Sequence, residues 1–134
     1  MMRTRTTTLV LGLLLLTGAF ANAASSISVV GDLDFGNVTV GQRISRQLTI
    51  ANDGDTSFSV TGVDAPAGFS VTESFTGEVA PTTTETILVT FEPTSETEFS
   101  GTLSVISDAA QGTGEASCTG TGVSSNLGVS TRVI

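Results

Sequence analysis

Residues 86–94 read Thr-Ile-Leu-Val-Thr-Phe-Glu-Pro-Thr, and this stretch decides the fold class. Its apolar side chains Ile87, Val89 and Phe91 fall on one side of an extended chain, with threonines on the other. An alternation with a period of two is typical of a strand that has one buried face. The proline that follows ends the strand, because proline has no backbone N–H for the ladder.

The same alternation recurs along most of the chain. Further strands are predicted near residues 27–30, 33–35, 46–50, 58–63, 69–71, 99–105 and 116–118. Turn-forming residues separate them at an even spacing, as in immunoglobulin-like domains. Threonine, valine and serine are frequent and favour strands. We therefore predict an all-β, immunoglobulin-like β-sandwich of seven to eight strands.

The first 23 residues have the pattern of a secretory signal peptide. Arg3 and Arg5 precede an apolar run at residues 9–16, and residues 21–23 supply the small-x-small pattern of a cleavage site. The run is too short for the ~20 residues that span a bilayer, so no membrane insertion is expected. We predict a secreted protein, either periplasmic or extracellular at the cell surface.

Cleavage after Ala23 would leave 111 residues, enough for one domain. We assign residues 24–123 to that domain and residues 124–134 to a carboxy-terminal tail. The cleaved chain would carry three arginines, no lysine and thirteen acidic residues, a formal charge of −10. Such an acidic chain is not expected to bind nucleic acid, whose phosphates require Arg or Lys clusters.

The composition gives little support to catalysis. The chain has no His, Tyr, Trp or Lys, which are common general bases and nucleophiles. We predict no enzyme activity, no catalytic residues and no cofactor. The single cysteine, Cys118, cannot form an intramolecular disulfide. Its alternation with polar neighbours predicts a buried thiol on the inward face of a strand.

One loop has residues that could bind a metal. Asn52, Asp53 and Asp55 surround Gly54 directly after a predicted strand. The Asp-Gly step suits the positive φ of a tight hairpin, and the side-chain oxygens are ligands that calcium prefers. The loop lacks the bidentate glutamate of a complete EF-hand. Two interpretations remain, a solvated hairpin turn or a weak calcium site.

The tail also alternates, with Leu127, Val129 and Val133 separated by polar residues or glycine. One interpretation is an assembly strand that adds to the sheet edge of a neighbouring molecule. The other is a segment that folds back on its own domain or frays.

Five motifs, in this order, resemble the ASH (ASPM, SPD-2, Hydin) family of immunoglobulin-like domains. They are LDFGNVTVG at 33–41, QLTIANDG at 47–54, VTFEPT at 89–94, FSGTL at 99–103 and GTG at 120–122. The resemblance implies a sandwich similar to the major sperm protein and to the amino-terminal domain of pilus chaperones. It also suggests the bacterial secreted surface proteins described as "choice-of-anchor", although this chain shows one copy and no visible anchor.

The resemblance further implies a structural role for the matching residues. The expected core residues are Phe35, Leu48, Ile50, Val89, Phe91 and Leu103, and the expected turn residues are Gly36, Gly41, Gly54 and Pro93. The family serves adhesion, scaffolding and protein contact. The leading hypothesis is therefore a non-enzymatic module that contacts a protein or a glycan. The alternative is a structural subunit of a fibre or surface layer that self-associates through its tail.

Overall fold

A computed structural model describes residues 23–125, which form ten β-strands and no helix. The strands are β1 (Ser26–Val30), β2 (Leu33–Thr39), β3 (Ile44–Asn52), β4 (Phe58–Asp64), β5 (Phe69–Glu73), β6 (Gly77–Val79), β7 (Thr84–Phe91), β8 (Glu98–Ser107), β9 (Gln111–Gly112) and β10 (Glu115–Val123). No helix in this part of the chain could cross a membrane.

The strands form two five-stranded sheets. The first sheet has the order β5-β7-β3-β1-β9, and the second has the order β2-β10-β8-β4-β6. Most neighbours are antiparallel, but β1 runs parallel to β9 and β2 runs parallel to β10. The predicted all-β sandwich is confirmed.

The alternating apolar side chains of both sheets meet in one core. All six predicted core residues are buried, with Leu48, Ile50, Val89, Phe91 and Leu103 fully so. The ring of Phe91 lies at the centre of an aromatic group, with centroids 4.8 Å from Phe69, 5.5 Å from Phe99 and 5.7 Å from Phe35. Cys118 is also fully buried, as its alternation predicts.

Two features of the predicted fold require correction. The structure has ten strands, not seven or eight, because β6 and β9 were missed. These strands contain three and two residues, too few to show an alternation. The predicted hairpin at residues 52–55 is also wrong, because β3 and β4 belong to different sheets. The loop crosses the sandwich, and Gly54 is not among the glycines with positive φ.

The predictions for the other turn residues agree with the structure. Gly36 and Gly41 have φ values of 63° and 82°, in the region that favours glycine. Gly101 lies against the Pro66 ring with no space for a Cβ atom, a close approach that a glycine within a strand permits. Pro93 is fully buried after β7, where it was predicted to end the strand.

Candidate contact surfaces

The outer face of the second sheet is acidic. Strand registers place five exposed carboxylates on it, one from each strand: Asp34, Asp64, Glu78, Glu98 and Glu115. We call these residues the acidic face. None of their partners across the strands is a Lys or Arg, so this face has a strongly negative potential.

A shallow depression of about 210 Å³ lies on the acidic face, where β2, β10 and β8 meet. Asp34 and Glu98 contribute to its wall, and Thr119 and Thr121 contribute hydroxyl groups. One oxygen of Asp34 accepts hydrogen bonds from the Gly36 N–H at 3.1 Å and from the Thr119 hydroxyl at 3.2 Å. This carboxylate is therefore engaged in holding β2 against β10.

The outer face of the first sheet has a different chemistry. The outward residues of its three inner strands, which we call the hydroxyl face, are Ser26, Ser28, Val30, Ser45, Gln47, Thr49, Ala51, Thr84, Thr86, Leu88 and Thr90. All of these strands are described, and none of these residues is charged. Glu73, on the edge strand β5, lies beside the face and pairs with Leu88.

Hydrogen bonds order part of the hydroxyl face. The Thr90 hydroxyl is 2.7 Å from that of Ser45 on β3 and 3.1 Å from that of Thr72 on β5. This chain of three hydroxyls connects three neighbouring strands. Val30, at the other side of the face, is 65% exposed, the highest value among the large exposed hydrophobic residues. Thr90 itself is only 2% exposed, so its hydroxyl orders the strands and is not available to a partner, whereas Val30 is.

Polar side chains protect the longest edge strand of the sandwich from pairing with a strand of another molecule. The edge strand β2 has seven residues, whereas the edge strands β5, β6 and β9 have five, three and two. The Asp34 N–H donates to the carboxylate of Asp32 at 2.9 Å, and the Gly36 N–H donates to that of Asp34. A bulge also shifts the register of β2 against β10. Bulges and charged residues of this kind discourage the addition of another strand.

Arg46, on β3 of the first sheet, reaches across to β2 of the second sheet. The Arg46 guanidinium lies 5.9 Å from the centroid of the Phe35 ring, and one of its nitrogens is 3.7 Å from a carboxylate oxygen of Asp32. Arg43 similarly lies 3.9 Å from Glu92. Both described arginines are therefore next to carboxylates, and the described residues have a formal charge of −11 from two arginines and thirteen acidic residues.

The three candidate calcium residues differ in burial, since Asn52 is buried and Asp53 and Asp55 are exposed. Asn52 is 1% exposed, and its amide nitrogen donates to the carbonyl oxygens of Thr56 and Val79, at 2.8 and 3.0 Å. Its side-chain oxygen accepts the Gly54 N–H at 3.0 Å. Asp53 and Asp55 are exposed. No group of three or more His, Cys, Asp or Glu suited to a metal occurs among residues 23–125.

The other predicted site residues, Leu127, Val129 and Val133, lie outside the described part of the chain, and so do residues 1–22 of the predicted signal peptide. The two contrasting faces were not predicted from the sequence. The alternation in residues 86–94 predicts that Thr86 points outward, but only the pairing of β3 with β7 shows that it shares one uncharged surface with Thr49.

The comparisons with known proteins agree on the fold. The family model "Abnormal spindle-like microcephaly-assoc'd, ASPM-SPD-2-Hydin" (ASH) matches residues 22–112. The ASH/PapD-like domain 7 of human CEP192 superposes with a TM-score of 0.57 at 15% identity, over 82% of this chain and 94% of that domain. No curated protein matches the chain in sequence.

Two bacterial structures are also similar. A protein of unknown function from Porphyromonas gingivalis W83 has a TM-score of 0.60 at 14% identity, over 77% of this chain and 50% of its own. The VesB protease of Vibrio cholerae has a TM-score of 0.55 at 19% identity, over 71% of this chain and 31% of its own. This chain thus spans half of the first protein and less than a third of the second. At these identities the likeness concerns the fold alone.

Proposed function

Because the chain belongs to the ASH (ASPM-SPD-2-Hydin) family, we propose that it is a secreted, non-enzymatic immunoglobulin-like module that binds a protein partner. The observation that carries this proposal is the distribution of charge over its surface: five carboxylates lie on the outer face of the second sheet, and none is among the outward residues of β1, β3 and β7 in the first. Protein contact surfaces have cores depleted in charged residues, and the hydroxyl face fits that description.

The acidic face restricts the partners that can bind there. A partner that docks against Asp34, Glu98 and Glu115 must supply Arg or Lys, since like charges in contact oppose association. The hydroxyl face has no such restriction and also suits an uncharged glycan.

We further propose export by the residues 1–23 signal, with the mature protein in the periplasm or at the cell surface, as in the bacterial choice-of-anchor type. The basic start, the apolar run and the small residues before Ala24 support this proposal. Mass spectrometry of protein recovered outside the cytoplasm tests it. A mature form that begins at Ala24 is expected, and an intact Met1 in that fraction would contradict export by cleavage.

Cross-linking through carboxylates tests the binding function directly. The chain has no lysine, so amine-reactive reagents have no side chain to label, whereas a dihydrazide cross-linker added with a carboxyl-activating coupling reagent can react with its acidic residues, of which there are thirteen. In native cells we expect cross-links from the folded protein to a second polypeptide, identified by mass spectrometry. Cross-links confined to this chain alone, after labelling of its exposed carboxylates, would contradict a binding role towards another protein.

A second candidate function is a structural subunit that assembles by strand addition through Leu127, Val129 and Val133. The course of β10 supports it, because this strand stays paired with β2 up to Val123, where the tail begins. Since β2 is protected by Asp32 and Asp34, the edge of β5 is the better acceptor for such a strand.

Light scattering after size exclusion separates the two functions. The mature protein is compared over a concentration series with a version that ends at Val123, which retains all ten strands. A binding module is expected to remain a monomer with and without the tail. Higher species that disappear with the tail would establish strand addition and make the structural function the leading one.

A further inference from the structure

We propose that the α-amino group created at Ala24 by removal of the signal peptide forms an ion pair with the carboxylate of Asp55. The pair depends on cleavage after Ala23, and so on the export part of the proposed function. It gives a role to the acidic loop at residues 53–55, which neither partner binding nor a calcium site explains. Cleavage would then stabilise the folded domain, because the amino group does not exist before it.

The acidic loop lies against the residues that follow the cleavage site. β1 and β3 are antiparallel neighbours, and their register continues past the ends of both strands. The Asp53 N–H donates to the Ser26 carbonyl oxygen at 2.9 Å. The Asp55 N–H donates to the Ala24 carbonyl oxygen at 3.0 Å. Asp55 is therefore opposite Ala24, and the Cα atoms of opposite residues in antiparallel pairs lie about 4.5–5.5 Å apart.

The segment after the cleavage site is held on both sides. Ser25 is 6% exposed, its carbonyl oxygen accepts the Gln111 N–H at 3.1 Å, and its hydroxyl accepts the Ala110 N–H at 3.0 Å. On the other side, a Cβ atom at Gly54 would lie 2.9 Å from the Ser25 carbonyl carbon, so the loop backbone packs directly on this segment. The amino nitrogen of Ala24 is ~1.5 Å from its Cα atom, and its position is fixed with the backbone.

Charge leaves the loop without another cation among the described residues. The titratable side chains of the loop and of residues 108–112, the elements hydrogen-bonded to this segment, are Asp53, Asp55 and Asp108. Asp108 already accepts the Ser59 N–H at 2.6 Å. The two described arginines each lie beside a different carboxylate. The new amino group is therefore the cation that this acidic loop can bind.

An ion pair at this position costs little conformational entropy. Exposed ion pairs are usually weak, partly because two long side chains must be ordered. Here the cation belongs to a hydrogen-bonded backbone and the aspartate side chain is short. The carboxylate should raise the pKa of the amino group above its ordinary value of about 7.7–8.0. The stabilisation is then present below that value and is lost as the pH rises through the raised pKa.

The absence of lysine makes the test selective, because the α-amino group is the only amine of a protein that begins at Ala24. This protein is prepared by proteolytic removal of an amino-terminal fusion, and its rate of acetylation is measured against pH. Acetic anhydride reacts with the neutral amine, so the profile gives the pKa.

Two variants each remove one exposed carboxylate. Asp55→Asn removes the proposed partner, and Glu96→Gln is the matched control. Glu96 lies in the turn after β7, whose last residue pairs with the first residue of β3, whereas the acidic loop follows the last residue of β3. The control is therefore at the opposite end of the sandwich. Far-UV circular dichroism confirms that both variants are folded.

We expect the pKa of the amino group to be raised by roughly 0.5–1 unit in the unchanged protein and in Glu96→Gln, and by less in Asp55→Asn. Acetylation should lower the melting temperature of the unchanged protein at pH 7 by roughly 2–5 °C, and that of Asp55→Asn by less than half as much. Equal pKa values in the two variants, or equal effects of acetylation, would overturn the ion pair. Failure of the export proposal is recognised separately, by protein outside the cytoplasm that does not begin at Ala24.

Discussion

The side-chain amide of Asn52, in β3 of the first sheet, donates to the carbonyl oxygen of Val79, in β6 of the second sheet, at 3.0 Å. The same nitrogen donates to the Thr56 carbonyl oxygen, and the side-chain oxygen accepts the N–H groups of Gly54 and Ser26. One buried side chain thus connects both sheets and the loop that crosses between them. Its role is structural, because it holds in place the loop that connects the two sheets. The sequence predicts a hairpin turn at this position instead.

Replacing Asn52 by alanine should therefore destabilise the fold. The substitution leaves buried backbone donors and acceptors without partners, and we expect a loss of about 2–4 kcal/mol in the free energy of unfolding. Urea denaturation followed by circular dichroism measures it. Asn37→Ala, at an exposed position in β2, is the control and should change the free energy by less than about 0.5 kcal/mol. Equal effects of the two variants would contradict this role.

Calcium is expected to have no specific effect on stability. The Asn52 side-chain oxygen already accepts a hydrogen bond from the Gly54 N–H, which leaves Asp53 and Asp55 as two exposed carboxylates, fewer than the six to eight ligands that calcium takes. Calcium should raise the melting temperature no more than magnesium at the same concentration. A larger rise with calcium that Asp53→Asn and Asp55→Asn abolish would instead establish the site.

The sequence was sufficient for features that depend on local alternation. The strands containing Leu48, Phe91 and Leu103 were predicted because their apolar residues recur at every second position along the strand. The short strands β6 and β9 lack this signal, since their pairing depends on residues distant in the chain. The hairpin error has the same origin, because the turn sequence does not specify which sheet the next strand joins.

The candidate contact surfaces were predictable only in part. Alternation identifies which residues of a strand point outward, but the composition of a face depends on which strands are neighbours. Thr49 and Thr86 are 37 positions apart in the chain and directly opposed in the sheet. The contrast between the acidic face and the hydroxyl face therefore required the topology.

Gly120 is expected to tolerate no side chain. A Cβ atom at this position would lie 2.5 Å from the Phe91 ring, and the ring is enclosed by three other phenylalanines and cannot move away. Gly120→Ala should destabilise the protein by about 1–3 kcal/mol through overpacking. Gly62→Ala is the matched control, because its Cβ would meet only Ile106 at 3.8 Å. Thermal unfolding that ranks the two variants equally would contradict the packing described.

The Cys118 thiol should resist modification in the folded protein. Burial raises the pKa of this thiol above its ordinary value, and the hydrogen bond with the Leu103 backbone opposes the shift only in part. The thiol is also inaccessible, so a thiol-specific reagent at pH 8 should label it only after unfolding. Rapid stoichiometric labelling of the native protein, with its far-UV spectrum unchanged, would contradict this prediction.

The same shift predicts how stability depends on pH. The unfolded thiol ionises near its ordinary pKa of about 8.5, whereas the folded thiol ionises only at a higher pH. The unfolded state therefore loses its proton first, and the free energy of unfolding should fall as pH rises above that value. The Cys118→Ala variant should show a smaller fall over the same range. Identical pH profiles of the two proteins would show that the thiol does not contribute.

The carboxylate of Asp34 should help to prevent strands of other molecules from pairing with the edge of β2. Asp34→Ala removes the acceptor of the Gly36 N–H and the Thr119 hydroxyl, so we expect a loss of about 1–2 kcal/mol in stability and an increase in edge-to-edge aggregation. Glu98→Ala removes the same charge from the same face, and among the described residues the Glu98 side chain makes no hydrogen bond that the change would break. Light scattering during incubation below the melting temperature compares the two. Faster aggregation of Asp34→Ala alone assigns the protection to the hydrogen bonds along β2, whereas equal aggregation would assign it to net charge.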